Sequence, residues 1–220
     1  MSVDGRRIRT ALAHGTPLDW VFTGDSIVAA VHWTGVERGY VELFTEWLRY
    51  TSARRADVVI NTAVSGWRIP ALRAALDHAV LRFSPDVVVI GLGTNDAREG
   101  AVGLADFRRD YGAVIQRIHE QGGAVVLQTP PGVSSSAVQA PSIAAYAAAV
   151  RALAAEHGCL LVDHHATWTA PTARLDEWLA DPIHPGGAGH RVLADTLIDT
   201  LRSGGPSGAD QAADSAPSGR

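Results

Sequence analysis

The chain has 220 residues, of which 46% are hydrophobic and 19% are charged, and its formal net charge is -4. This composition is typical of one globular domain with a sizeable core, and it offers no basic patch of the kind that binds nucleic acid. The single cysteine, Cys159, excludes an internal disulfide framework, and no apolar run is long enough for a secretory signal or a membrane span. We therefore expect a cytoplasmic protein with neither a membrane span nor a nucleic-acid partner.

The first predicted strand sets the arrangement of the rest of the chain. Residues 1–19 are polar and mixed, and we interpret them as a lead-in to the domain. The apolar run 20–22 is typical of a strand buried on both faces of a parallel sheet, and it ends near Gly24, where glycine allows a tight turn. Ser26 follows at the carboxyl end of this strand, which is the edge where α/β sheets bind ligands. We therefore interpret Ser26 as a nucleophile.

Apolar runs and helical periodicity alternate along the rest of the chain. Further strands are predicted at 57–61, 87–92, 124–128 and 159–162, and helices at about 39–50, 69–83, 104–121, 142–157 and 188–202. This alternation predicts a three-layer α/β/α fold around a five-stranded parallel sheet, with the flavodoxin-like strand order 2-1-3-4-5. We expect one domain over residues 20–202, with an irregular segment at 163–187. The tail 203–220 has almost no apolar bulk, and we expect it to be disordered.

Four short segments rich in glycine and polar residues fall on one edge of the predicted sheet. They are Gly24-Asp25-Ser26, Gly66, Gly93-Thr94-Asn95-Asp96 and Asp181-Pro182-Ile183-His184. A serine hydroxyl needs a neighbouring base, which His184 can supply, and Asp181 can fix the tautomer of that imidazole. The oxyanion formed on attack needs N–H donors placed in advance. We nominate the Ser26 amide, the Gly66 amide and the Asn95 side-chain amide as these donors.

The same four segments resemble the sequence blocks of the SGNH (GDSL-type) hydrolase superfamily in order and in spacing. The resemblance covers about residues 20–202, and one departure is Ile27, where the family name has leucine. This superfamily is known for serine esterases, lipases, acetylhydrolases and thioesterases that use no metal and no organic cofactor. The resemblance implies an active site of nucleophile, base, orienting carboxylate and oxyanion donors at Ser26, His184, Asp181, Gly66 and Asn95.

Further residues near these segments are given supporting roles. His32, Trp33 and Trp67 closely follow the nucleophile and the Gly66 segment, so they are candidates for the wall of the substrate pocket. Asp25 is interpreted as a structural hydrogen-bonding residue, and Asp96 as the cap of the turn or helix that follows it.

The segment Asp163-His164-His165 has the composition of a metal site, because histidine and aspartate are common ligands. Adjacent residues on an extended segment point in opposite directions, however, and seldom bind one ion together. We therefore expect these residues to end the fifth strand, and we predict no metal and no cofactor.

The predicted activity is hydrolysis of small-molecule carboxylic esters with a small acyl group such as acetyl, because the site lies on an open sheet edge with few long loops. A thioester or a lysophospholipid is the nearest alternative substrate, and an acyltransferase would use the same residues if an acceptor excluded water. A non-catalytic flavodoxin-like module that binds phosphate or a nucleotide at residues 23–26 is a rival from another class, but it leaves Asn95, Asp181 and His184 unexplained. A metal-dependent hydrolase is the third alternative, and the oligomeric state stays open.

Overall fold

The computed structural model describes residues 2–203, so the predicted disordered tail lies outside the described residues apart from Ser203. The strands are β1 (Asp19–Gly24), β2 (Val58–Asn61), β3 (Val87–Gly91), β4 (Ala124–Gln128) and β5 (Leu160–Val162). They pair in parallel in the order β2-β1-β3-β4-β5, which confirms the predicted order. Because the pairing is parallel throughout, all five strands end at the same edge of the sheet.

Helices connect the strands and cover both faces of the sheet. They are α1 (Val3–His14), α2 (Ser26–Ala29), α3 (Tyr40–Glu46), α4 (Ile69–Ala79), α5 (Leu104–Glu120), α6 (Ile143–His157), α7 (His164–Thr169), α8 (Leu175–Trp178) and α9 (Gly187–Ser203). A π-helical turn over Trp47–Thr51 extends α3, and 3₁₀ segments at Leu81–Phe83 and Asp96–Gly103 lie after α4 and before α5. No helix within residues 2–203 has the length and apolar character that a membrane crossing requires.

The sheet separates two hydrophobic cores, because successive side chains of a strand point to opposite faces. Val21, Val88 and Ile90 belong to the core that α4, α5 and α6 cover. Trp20 and Val89 belong to the core that α1, α3 and α9 cover. The central strands are apolar on both sides for this reason. The result is the predicted three-layer α/β/α fold.

β1 and β3 are in close contact at their carboxyl ends, where Gly24 is paired with Gly91. A Cβ atom on residue 24 would overlap the carbonyl oxygen of Gly91 and the side chain of Val28, so only glycine fits. The amide of Asp25 donates to that same carbonyl at 3.3 Å. These contacts fix the turn that carries Ser26 onto the sheet edge.

The N-terminal segment, expected to be a lead-in, contains the helix α1. Ser2 caps this helix, since its hydroxyl accepts a hydrogen bond from Gly5 N at 3.1 Å. Ile8 is buried in the core, and Asp4 accepts a hydrogen bond from Val125 N of β4 at 3.0 Å. The sequence gives little sign of the helix because Ile8 is the only large apolar residue that α1 buries fully. α1 is therefore packed against the sheet as part of the domain.

The segment expected to be irregular contains the short helices α7 and α8. Asp163 caps α7, because its carboxylate accepts a hydrogen bond from Ala166 N at 3.1 Å, and it also pairs with Arg151 at 2.7 Å. The two histidines that follow Asp163 are the first residues of α7. The expectation that Asp163, His164 and His165 end the fifth strand is therefore wrong.

Candidate active site

Ser26 is the first residue of α2 and directly follows the turn at the end of β1. Asp25 caps this short helix, since its Oδ1 accepts a hydrogen bond from Ile27 N at 2.9 Å. Asp25 is buried behind the turn, in the structural role expected for it. Ser26 is only 6% exposed, and its hydroxyl contacts a histidine from the other end of the chain.

The segment from Asp181 to His184 forms a tight turn between α8 and α9. The amide of Ala180 donates to the carbonyl of His184 at 2.8 Å, which closes the turn. Asp181 Oδ1 accepts hydrogen bonds from Ile183 N and His184 N, each at 2.8 Å. An aspartate that bonds its own following backbone in this way is held in one orientation, and Oδ2 is left to face the imidazole.

The turn delivers the imidazole of His184 to Ser26, which lies 158 residues away in the chain. His184 Nε2 is 2.9 Å from Ser26 Oγ, and His184 Nδ1 is 2.7 Å from Asp181 Oδ2. Because an ionised carboxylate only accepts, Nδ1 carries the proton and Nε2 keeps the lone pair that faces the hydroxyl. Burial acts to raise the pKa of Asp181, but the hydrogen bonds from Ile183 and His184 outweigh it and hold the pKa below its usual range.

The turn that contains Gly66 lies beside the end of β1. Val64 N donates to the last residue of β1 at 3.0 Å, and Trp67 N donates to Val64 O at 3.1 Å. Gly66 has φ +81° in this turn, a conformation that favours glycine. Asn95 supports the same turn, since its Nδ2 donates to Trp67 O at 3.2 Å. A primary amide has two N–H donors, so the second is left for a ligand.

Asp96 caps a different helix from the one expected. Its Oδ1 accepts a hydrogen bond from Ile69 N at 2.9 Å, and Ile69 is the first residue of α4 rather than part of the segment that follows Asp96. The expectation was wrong because the fold brings two segments together that are 27 residues apart. Burial is the main cause that raises the pKa of Asp96 to about 6.

The buried carboxyl of Asp25 makes the stability of the protein depend on pH. Burial raises the pKa of Asp25 to about 7, against the hydrogen bond from Ile27 N, and the neighbouring Asp96 adds to the increase. An aspartate in an unfolded chain titrates near pH 4. Between about pH 4 and 7 the folded protein therefore binds a proton that the unfolded chain does not, so this group's contribution to the free energy of unfolding falls as pH rises through that window.

Replacing Asp25 by asparagine is expected to remove this pH dependence, because asparagine keeps an acceptor for Ile27 N but does not titrate. As pH rises from 4 to 7, the free energy of unfolding of Asp25→Asn should therefore increase relative to that of the wild type, by up to about 4 kcal/mol. Urea denaturation at both pH values measures the difference. Asp106→Asn, a change on the exposed face of α5, is the matched control. Parallel stability curves for Asp25→Asn and the wild type would contradict the expectation.

Of the three residues predicted to line the pocket, Trp33 is in direct contact with His184, the residue that is hydrogen-bonded to Ser26 and Asp181. Its indole stacks on the imidazole of His184 with the ring centroids 3.4 Å apart. His32 is exposed and packs edge-on against Trp33, with centroids 5.8 Å apart. Trp67 packs its ring against the core under α4 and offers its carbonyl to Asn95. The sequence gives no signal for the Trp33 stack beyond the position of Trp33, seven residues after Ser26.

The structure separates the side chains that have the composition of a metal site. His164 Nε2 lies 3.3 Å from Gln128 Oε1, whereas Asp163 pairs with Arg151. Burial lowers the pKa of His164 to about 3, so this imidazole is neutral at physiological pH.

A second cluster of side chains that could bind a metal lies at the opposite edge of the sheet, where the strands begin. The ligand atoms of Asp4, His119 and Cys159 all lie within 4.8 Å of one another. Asp4 Oδ2 is already engaged, since it lies 2.8 Å from His119 Nε2 and accepts the hydrogen bond from Val125 N. Burial raises the pKa of the Cys159 thiol. The hydrogen bond to Asp4 ties α1 to β4.

Comparison with known proteins identifies the family. The sequence pattern of the GDSL-like Lipase/Acylhydrolase family matches residues 22–192. A search of curated protein sequences found no match. Among solved structures, the acetyl xylan esterase AlAXEase is 28% identical with a TM-score of 0.72, over 83% of this chain and 99% of that chain.

Two further solved structures are similar in fold. A variant of Axe2, an acetyl xylan esterase from Geobacillus stearothermophilus, is 22% identical with a TM-score of 0.72, over 84% of this chain and 94% of that chain. LAE5, an alpha/beta hydrolase enzyme from the metagenome of Lake Arreo, Spain, is 24% identical with a TM-score of 0.71, over 84% and 95% of the two chains. The chain therefore belongs to the GDSL-like lipase/acylhydrolase family and is a carboxylic ester hydrolase of the SGNH type.

Proposed function

We propose that the protein hydrolyses carboxylic esters of small acyl groups, acetyl first among them, with Ser26 as nucleophile, His184 as base and Asp181 as its orienting carboxylate. The observation that carries this proposal is the unbroken hydrogen-bonded chain from Asp181 Oδ2 through the imidazole to Ser26 Oγ, with distances of 2.7 and 2.9 Å. Its order of carboxylate, imidazole and hydroxyl is the order that activates a serine.

In the proposed reaction, His184 Nε2 takes the proton of Ser26 Oγ while Oγ attacks the ester carbonyl carbon. The Ser26 amide, the Gly66 amide and Asn95 Nδ2 donate to the oxyanion that forms. The bond to the alcohol oxygen then breaks, and the imidazolium gives its proton to the leaving alkoxide, which leaves the acyl group on Ser26. A water molecule deprotonated by His184 attacks this acyl-enzyme, releases the acid and restores the serine.

Two observations support a small acyl group. The hydroxyl of Ser26 lies at the open edge of the sheet, on the residue that begins α2 just after the end of β1. The 28% identical structural neighbour is named as an acetyl xylan esterase. We extend to this chain only the acetyl part of that substrate.

A screen of p-nitrophenyl esters from acetate to laurate tests the proposal. We expect kcat/KM to be highest for acetate and to fall as the acyl chain lengthens, with activity unchanged by EDTA. Diisopropyl fluorophosphate should inactivate the enzyme by labelling Ser26, which peptide mass spectrometry locates. A maximum at laurate would refute the acyl-size proposal, a label on another serine would refute the nucleophile, and loss of activity with EDTA would favour a metal-dependent hydrolase.

Replacing Asn95 by alanine is expected to lower kcat by about 10² to 10³-fold, because it removes a donor that acts on the developing oxyanion. Steady-state kinetics on p-nitrophenyl acetate measure the change, and KM should move much less. Asn61→Ala is the matched control, since Asn61 Nδ2 also donates to a nearby backbone carbonyl, that of Val28, at 3.0 Å. An unchanged kcat in Asn95→Ala would remove Asn95 from the proposed oxyanion site.

A further inference from the structure

Trp33 covers one face of the imidazole of His184. The two ring centroids are 3.4 Å apart, and the ring planes differ by only 8°. At its edge the imidazole contacts the carboxylate of Asp181 through Nδ1 and the hydroxyl of Ser26 through Nε2. The exposed ring of His32 packs edge-on against the indole. The contact is therefore made by the same imidazole that the proposed mechanism uses as base.

The loop that carries Trp33 is fixed to the start of α9. Glu37 of this loop forms an ion pair with Arg191 at 2.7 Å. Gly187 leaves room for the Glu37 side chain, since a Cβ atom at residue 187 would overlap it. α9 begins at Gly187, immediately after the turn that contains His184. The loop that carries the indole and the turn that carries the imidazole therefore both adjoin the start of α9.

The geometry of the stack favours a charged imidazole over a neutral one. Two neutral aromatic rings prefer offset or edge-to-face arrangements to full overlap, because the negative faces of their π systems repel each other. A cation above the face of an indole is instead attracted by the same negative face, and tryptophan is the best of the aromatic residues in this respect. In the proposed reaction the imidazole becomes a cation when it takes the serine proton.

We propose that Trp33 is a positioning residue, which orients the imidazole of His184 and stabilises its protonated form as the serine attacks the ester. This inference rests on the proposed function. In this role Trp33 acts on the imidazole of His184. A residue of the pocket wall would instead contact the acyl or alcohol group of the substrate. The two roles predict different kinetics.

Kinetics of Trp33→Leu and Trp33→Phe on p-nitrophenyl acetate test this role. Leucine removes the π face, so we expect kcat to fall about tenfold with little change in KM, whereas phenylalanine should keep most of kcat. In Trp33→Leu the acid limb of the rate profile should move to lower pH than in the wild type, by up to about one unit, because the protonated base loses its partner. Tyr50→Leu, at an exposed aromatic residue, is the control. A change in KM alone, with kcat and the acid limb unchanged, would overturn the proposal in favour of a substrate wall.

Tryptophan fluorescence tests the stack without any catalysis. A protonated imidazole in contact with an indole quenches its emission more strongly than a neutral one does. In Ser26→Ala/His32→Asn, which keeps both rings of the stack and removes the other imidazole that packs against Trp33, emission should fall as pH is lowered and the imidazole of His184 is protonated. The fall should be absent when Trp33→Phe or His184→Gln is added to this variant. Equal titrations in all three proteins would overturn the stack.

The two experiments separate failure of this inference from failure of the proposed function. Wild-type esterase activity together with a missing fluorescence transition overturns the role of Trp33 and leaves the triad proposal intact. A fluorescence transition in a protein without esterase activity overturns the proposed function, and the role of Trp33 on the base falls with it. Agreement of the fluorescence midpoint with the acid limb of the wild-type rate profile supports both.

Discussion

Replacing Ser26 by alanine is expected to lower kcat for p-nitrophenyl acetate on the order of 10⁶-fold. The only hydroxyl within hydrogen-bonding distance of His184 Nε2 among the described residues is that of Ser26, at 2.9 Å. Without it the imidazole can activate only water, and no acyl-enzyme can form. The fold should be unaffected, because alanine is the best helix former and residue 26 is the first residue of α2.

Two controls make the Ser26→Ala result interpretable. Ser135→Ala changes an exposed serine in the loop after β4, and it should keep wild-type kcat. Circular dichroism and the thermal midpoint should be the same for both variants and the wild type. Activity of Ser26→Ala within tenfold of the wild type, in a protein that folds normally, would place the nucleophile elsewhere and end the proposal.

The strand order and the location of the site follow from local patterns in the sequence. Each central strand is a short apolar run, and the run at β3 ends directly in Gly93-Thr94-Asn95-Asp96. Parallel strands that alternate with helices must place these ends on one edge, so the motifs that follow β1, β2 and β3 are brought together by the fold itself. The segment 181–184 lies between α8 and α9 and follows no strand, so its pairing with Ser26 is predicted from side-chain chemistry and from the family resemblance.

Some contacts could not be predicted from the sequence. They join segments whose relative positions are set by tertiary packing. α1 buries a single large apolar residue, Ile8, and so its helical periodicity is too weak to detect. The bond from Ile69 N to Asp96 depends on how α4 lies against the end of β3. The stack of Trp33 on His184 joins two segments that are distant in the sequence, and no spacing rule predicts it.

The pKa values of buried side chains could not be predicted from the sequence either. Asp25 and Asp96 are ordinary carboxylates in the sequence, yet burial raises the pKa values to about 7 and about 6. His190 of α9 accepts a hydrogen bond from Tyr40 N, and burial lowers its pKa to about 4. These shifts arise from desolvation, which depends on the depth of each side chain in the finished fold.

Replacing Asp181 by asparagine is expected to lower kcat by about 10⁴-fold while the turn keeps its shape. The amide oxygen of asparagine can still accept the hydrogen bonds from Ile183 N and His184 N, which Asp181 Oδ1 now accepts at 2.8 Å each. The amide nitrogen then takes the place of Oδ2 and donates to His184 Nδ1. The imidazole must in that case carry its proton on Nε2, where it can no longer accept the proton of Ser26.

Asp181→Ala separates the loss of the correct tautomer from the loss of the turn. Alanine removes the acceptors of both backbone N–H groups, so Asp181→Ala should lose stability as well as activity, whereas Asp181→Asn should lose activity alone. Thermal midpoints and kcat for the two variants, measured beside the wild type, give the comparison. If Asp181→Asn kept kcat within tenfold of the wild type, the carboxylate would have no part in orienting His184, and the hydrogen bond at 2.7 Å would be structural only.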